Sequence, residues 1–177
     1  MMKVFVGCSS RENIDLTYME NTNALAEYLS SEQYDLVCGG TDGLMGVLVN
    51  TFKKNQREIN LIGVKGYFSV ELNAGNITIY DTISERKSAL IKMVDLIIFL
   101  PGGLGTLDEL FTAIESKRAK EHNLPIIIIN INRYYDNLVK QLDTMYQERF
   151  ASSLDSKYYF VANDLKEAIQ YIEEVGK

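Results

Sequence analysis

Apolar and polar positions along the chain alternate between two rhythms. Compact runs rich in Val, Ile, Leu and Phe occur at residues 3–8, 34–38, 59–64, 77–80, 96–100, 126–129 and 158–161. Each has the length and the turn-like borders of a strand. Between them, apolar residues fall at helical spacing, as at Leu25, Tyr28 and Leu29 within a helix over about 18–31. Further helices are expected after residue 43 to about 54, from an Ser84 cap to 94, from Thr106 to about 120, and over 134–150 with Leu138, Leu142 and Met145 on one face. Asp164 is expected to cap a last helix that turns Leu165, Ile169, Ile172 and Val175 inward. Residues 65–76 break the pattern and read as a loop. Strands alternating with amphipathic helices predict one α/β domain over 1–177, a doubly wound parallel sheet with helices on both faces.

Two glycine-rich turns stand out against this background. The run 96–100 meets Pro101, which forbids further ladder pairing, and then Gly102, Gly103 and Gly105. Thr106 is expected to open the next helix with its hydroxyl. A glycine turn between a buried strand and a helix start presents bare amides and the positive end of a helix dipole to an anion, and phosphate leads the candidates. The second turn is Gly39-Gly40-Thr41-Asp42-Gly43-Leu44-Met45-Gly46. In a doubly wound sheet both turns, with Ser9 and Ser10 after the first strand, lie at the carboxyl edge and form one site. The dinucleotide fingerprint and the G-x-x-x-x-G-K-[ST] loop are both missing, so a mononucleotide or sugar phosphate fits better than NAD or ATP.

Charge and composition narrow the field. A net charge of -6 argues against a nucleic-acid surface. No apolar stretch approaches the roughly 20 residues of a membrane span, and the first residues run into a strand pattern with no signal-peptide cleavage site. Cys8 and Cys38 have neither metal nor redox spacing and read as buried thiols of a cytoplasmic protein. His122, the one histidine, reads as a solvated helix end, which excludes histidine triads and multi-histidine metal sites.

Three side chains carry competing readings. Thr106 to Glu109 spells T-x-x-E, so Glu109 is either the return arm of a capping box or a carboxylate serving the ligand beyond its phosphate. Arg86 and Lys87 are either a solvated basic pair or the charge that answers a bound anion.

At this point the chain resembles the LONELY GUY family of phosphoribohydrolases. Pro101-Gly102-Gly103-Leu104-Gly105-Thr106-Leu107-Asp108-Glu109 is similar to that family's P-G-G-x-G-T-x-x-E signature. Glu85-Arg86-Lys87 resembles its E-R-K element, residues 39–46 its second glycine turn, and the segment Asn130-Ile131-Asn132-Arg133-Tyr134-Tyr135 also fits. The chain departs from the family at Ser84 and at Glu115 and Ser116. The resemblance implies a Rossmann-like homodimer that hydrolyses the N-glycosidic bond of a nucleoside 5′-monophosphate, AMP or an N6-modified AMP, to free base and ribose 5-phosphate. It implies Arg86 and Glu109 as catalytic residues. It implies Ser9, Gly40, Lys87, Gly102, Gly103, Gly105 and Thr106 as the substrate-binding set, with no cofactor or metal. The alternative is a non-catalytic nucleotide-binding protein akin to the molybdenum-cofactor carriers. The label "lysine decarboxylase" given to some members finds no lysine in a recognisable pyridoxal phosphate context.

Overall fold

The computed structural model describes residues 2–66 and 74–176. Seven strands form one sheet: β1 (Lys3–Gly7), β2 (Asp35–Cys38), β3 (Ile59–Val64), β4 (Asn76–Tyr80), β5 (Leu96–Phe99), β6 (Ile126–Ile129) and β7 (Phe160–Ala162). Their spatial order is β4-β3-β2-β1-β5-β6-β7, and every pairing is parallel. Among the described residues six helices accompany them: α1 (Leu16–Ser31), α2 (Gly43–Lys54), α3 (Ile83–Lys92), α4 (Leu104–Arg118) and α5 (Asp136–Gln147) lie between strands, and α6 (Leu165–Val175) follows β7. The chain therefore has the doubly wound, Rossmann-like α/β fold that its hydrophobic pattern predicts.

Every strand except β4, exposed but for Tyr80, feeds two cores because successive side chains point to opposite faces. Val4, Val6, Leu36, Leu61 and Ile98 join Leu25 of α1, Leu48 of α2 and Ile172 of α6 on one face. Phe5, Val37, Ile62, Ile97 and Phe99 join Leu90 of α3 and Leu110 of α4 on the other. The strand order reverses between β1 and β5, whose register runs from Val4 opposite Leu96 to Gly7 opposite Phe99. Both strands end at the same edge, and the crevice of a doubly wound sheet opens there.

Several local expectations change. Helix α3 starts earlier than Ser84, because Thr82 accepts from the Glu85 amide and the Glu85 carboxylate returns to the Thr82 amide. That reciprocal box satisfies two orphan donors, an option Ser84 has no partner for. Helix α4 starts at Leu104 with Gly103 as its cap, so Thr106 lies inside the first turn, buried, and caps nothing. Helix α5 is shorter than 134–150, because a 3-10 turn, Ile131–Arg133, precedes it. A second 3-10 turn, Ser153–Tyr158, pushes β7 to Phe160–Ala162. In α6, Ala168 and Ile172 face the core while Val175, the last residue of the helix, stays exposed. His122 is not a solvated end: its ring spans the Ala113 carbonyl (3.0 Å) and the Leu124 amide (3.1 Å). Among the described residues no helix is long and apolar enough to cross a membrane. Glu71, in the 65–76 loop, lies outside the described residues.

Candidate active site

Three turns meet at the carboxyl edge, and Ser9 stitches them together. Its amide donates to the Pro101 carbonyl (3.2 Å), its carbonyl accepts from the Leu44 amide (3.0 Å), and its hydroxyl accepts from the Arg11 amide (3.1 Å). The β1, β2–α2 and β5–α4 turns are thereby locked into one surface. Gly43 makes the close approach possible: it sits at φ +57°, and a side chain there would fall 2.6 Å from the Arg11 carbonyl oxygen. Gly40 is buried and would press any side chain on the Met45 methyl.

Arg86 and Glu109 come together on this surface. Arg86 projects from the first turn of α3, donates from Nε to the Ile62 carbonyl (2.9 Å) and from Nη1 to Glu109 Oε1 (2.7 Å). Both side chains are largely buried, 16% and 12% exposed, which sets this pair apart from an ordinary surface ion pair. The capping-box reading of Glu109 therefore gives way: its carboxylate faces Arg86 across the sheet edge and not the start of its own helix. Two glycines shape the contact, Gly39 of the second glycine turn and Gly7 of β1. A side chain at Gly39 would collide with Arg86 Nη2, and one at Gly7 would strike the Phe99 ring (2.7 Å) and lie 3.3 Å from Glu109 Oε2. A glycine inside a strand, as Gly7 is, is the signal that marks such an approach.

The solvated-pair reading of Arg86 and Lys87 also gives way. Lys87 Nζ holds both oxygens of Asp108, at 2.8 and 2.9 Å. Consecutive residues of α3 thus pair with consecutive residues of α4, while Glu85 serves as the α3 cap. Burial pushes the Glu109 carboxyl above its usual range, and Asp108 pushes in the same direction; Arg86 and Lys87 pull it down. Burial also raises the Cys38 thiol to about 12 and pushes the Cys8 thiol well up, so neither is a thiolate nucleophile at neutral pH.

The β5–α4 turn divides its glycines into two kinds. A side chain at Gly102 would collide with the Thr106 hydroxyl, so Gly102 answers to packing inside the chain. Beyond their chain neighbours and the helix's own backbone, Gly103 and Gly105 have no described atom within 4 Å of an added Cβ. The α4 cap carries no side-chain hydrogen bond, which leaves its first-turn amides open to an outside acceptor. Beside this surface, an open hollow of about 570 Å³ is lined by residues 10–14 and Asp42. Chemically, the edge combines an anion-attracting helix end with a fixed guanidinium and a carboxylate whose Oε2 has no hydrogen bond among the described residues.

A family model described as possible lysine decarboxylase matches residues 36–172. The chain belongs to that family, which includes the LONELY GUY proteins. It is 30% identical over 176 residues to the cytokinin riboside 5′-monophosphate phosphoribohydrolase LOG3 of Arabidopsis thaliana, covering 97% of this chain and 82% of that protein. Identity to the Arabidopsis thaliana LOG2 phosphoribohydrolase is 29%, over 97% of this chain and 83% of that one. Among solved structures, the molybdenum cofactor carrier protein of Chlamydomonas reinhardtii superposes with a TM-score of 0.70 at 17% identity, covering 98% and 97% of the two chains. That likeness is one of fold.

Proposed function

We propose that this chain hydrolyses the N-glycosidic bond of a nucleoside 5′-monophosphate, AMP or an N6-modified AMP, releasing free base and ribose 5-phosphate. The buried Arg86–Glu109 pair, set beside a glycine turn whose open amides suit a phosphate, carries this reading. The names of the 29–30% identical relatives support the reaction class. Phosphate bound at residues 102–106 supplies remote binding energy that fixes the sugar for attack. Cleavage develops positive charge on the sugar ring. Glu109, with Oε1 held by Arg86, turns Oε2 to that charge and orients a ribose hydroxyl or the attacking water. Arg86 assists the departing base through its charge. Ser9, Gly40 and Thr106 serve the turn's shape. Lys87, engaged by Asp108, acts on the site through charge.

The carrier reading shares the cradle but gives the buried carboxylate no task. Incubation with AMP followed by chromatography separates the two: adenine and ribose 5-phosphate support the hydrolase, and retained AMP with measurable binding supports the carrier. We further propose a homodimer, supported by the exposed Ile83 of α3 and Phe111 of α4; light scattering showing only a 20.1 kDa species would reject it. Two reduced, buried thiols are in keeping with a cytoplasmic setting.

A further inference from the structure

The Asn130–Tyr135 segment, which the catalytic pair does not use, reaches back to the glycine turn. Tyr134 donates from its hydroxyl to the Gly102 carbonyl (2.7 Å), and Tyr135 donates to the Leu100 carbonyl (2.7 Å). The two carbonyls flank Pro101. The Gly102 carbonyl belongs to the same rigid peptide plane as the Gly103 amide, and in a trans peptide the two point in opposite directions. Tying that oxygen down therefore aims the Gly103 N–H the other way. A peptide between two glycines is the least restrained plane in a chain, so its direction needs an outside lock.

The lock is itself braced. The Tyr134 ring meets Tyr18 edge-on at 6.1 Å and Tyr135 edge-on at 4.9 Å. Buried Asn130 accepts from the Tyr135 amide (2.6 Å) and donates to Asp136 (2.8 Å). Between them the backbone passes through two successive left-handed residues, Asn132 at φ 53° and Arg133 at φ 60°, neither of them glycine. Such a conformation persists only where surrounding contacts over-determine it.

We propose that Tyr134 is a positioning residue for the phosphate turn: its hydroxyl sets the Gly102–Gly103 peptide plane and so aims the Gly103 amide at the 5′-phosphate. This rests on the phosphoribohydrolase reading above. Tyr134→Phe keeps the ring contacts and removes the hydroxyl alone. The expected result is a 3- to 10-fold rise in KM for AMP, about the worth of one hydrogen bond, with kcat within twofold of wild type. Inhibition by inorganic phosphate weakens by the same factor. In the unliganded protein the Gly103 amide resonance shifts while the rest of the amide spectrum holds, and the melting temperature falls by no more than the roughly 2–4 °C of one lost hydrogen bond, a local effect general destabilisation would not give. Unchanged KM, phosphate inhibition and Gly103 resonance in an active protein overturn the inference alone. A loss of kcat with KM unchanged overturns it as well. A wild-type protein that neither releases base nor is protected by phosphate overturns the hydrolase reading and this inference with it.

Discussion

Replacing Gly105 with alanine sets stability and activity against each other. Beyond its chain neighbours and the helix's own backbone, the added methyl meets no described atom within 4 Å, and Gly105 sits in the first turn of α4 at ordinary negative φ. Exchanging an exposed helical glycine for alanine gains about 0.5–1 kcal/mol. For a domain of this size that is a rise in melting temperature of roughly 1–4 °C. A phosphate resting on the first-turn amides would meet the same methyl. Loss of one charge-assisted hydrogen bond costs about 1.5–3 kcal/mol, which raises KM for AMP roughly 10- to 150-fold. Adenine release at varied AMP and a calorimetric melt read the two effects on one preparation. A glycine kept for an outside ligand gives a tighter fold and a poorer enzyme. Higher melting temperature with unchanged KM would refute phosphate binding at this turn.

Glu109→Gln and Arg86→Ala should each lower turnover on AMP by about 10²–10⁴-fold with circular dichroism unchanged; wild-type turnover in either removes that residue from the mechanism. Arg86→Lys should also lose at least about tenfold, because one ammonium replaces a plane that holds Ile62 and Glu109 together. The active form needs the Glu109 carboxylate, and burial raises its pKa, so activity should fall as pH drops through a value above 4.5; Asp108→Asn moves that limb down, and a limb unmoved in the variant would contradict the assignment. Burial lowers the His122 pKa below 6.5 and favours the neutral ring, so the stability it contributes is present above that value and lost as pH falls through the folded pKa. The melting-temperature gap between wild type and His122→Ala should therefore close between pH 7.5 and pH 5, and a constant gap would discard the idea.

The strands were legible because each is a compact apolar run between turn residues: Ile59–Val64 and Ile126–Ile129 match their expected limits residue for residue. The helix starts were less so, since Thr82 and Ser84 are equally good hydroxyl caps on paper and only the return of the Glu85 carboxylate separates them. T-x-x-E at Thr106 misled for a related reason. The motif describes a spacing that recurs anywhere along a helix, and here it begins one turn too late to cap. Arg86 and Glu109 were visible as motif residues, but their contact depends on a tertiary crossing between α3 and α4 that no local spacing encodes. Gly7 was missed, and Gly39 was visible only as part of its turn, because the reason for each is the side chain of a distant residue.

The strand order explains why an arginine occupies position 86. Helix α3 follows β4 at the sheet's edge, whereas Glu109 lies over the end of β1, with β3 and β2 between them. Arg86 crosses that span by using each strand end in turn: Nε on the Ile62 carbonyl of β3, Nη2 against Gly39 just past β2, and Nη1 on the carboxylate above Gly7 of β1. Five donors in a rigid plane suit three successive stations, and a flexible ammonium suits one. The same crossing fixes which carboxylate oxygen is engaged. With Oε1 held by the guanidinium, Oε2 remains on the side of Gly7. On the proposed function, a ligand anchored by its phosphate at the α4 terminus would turn its sugar to the free oxygen of Glu109 and leave Arg86 for the departing base.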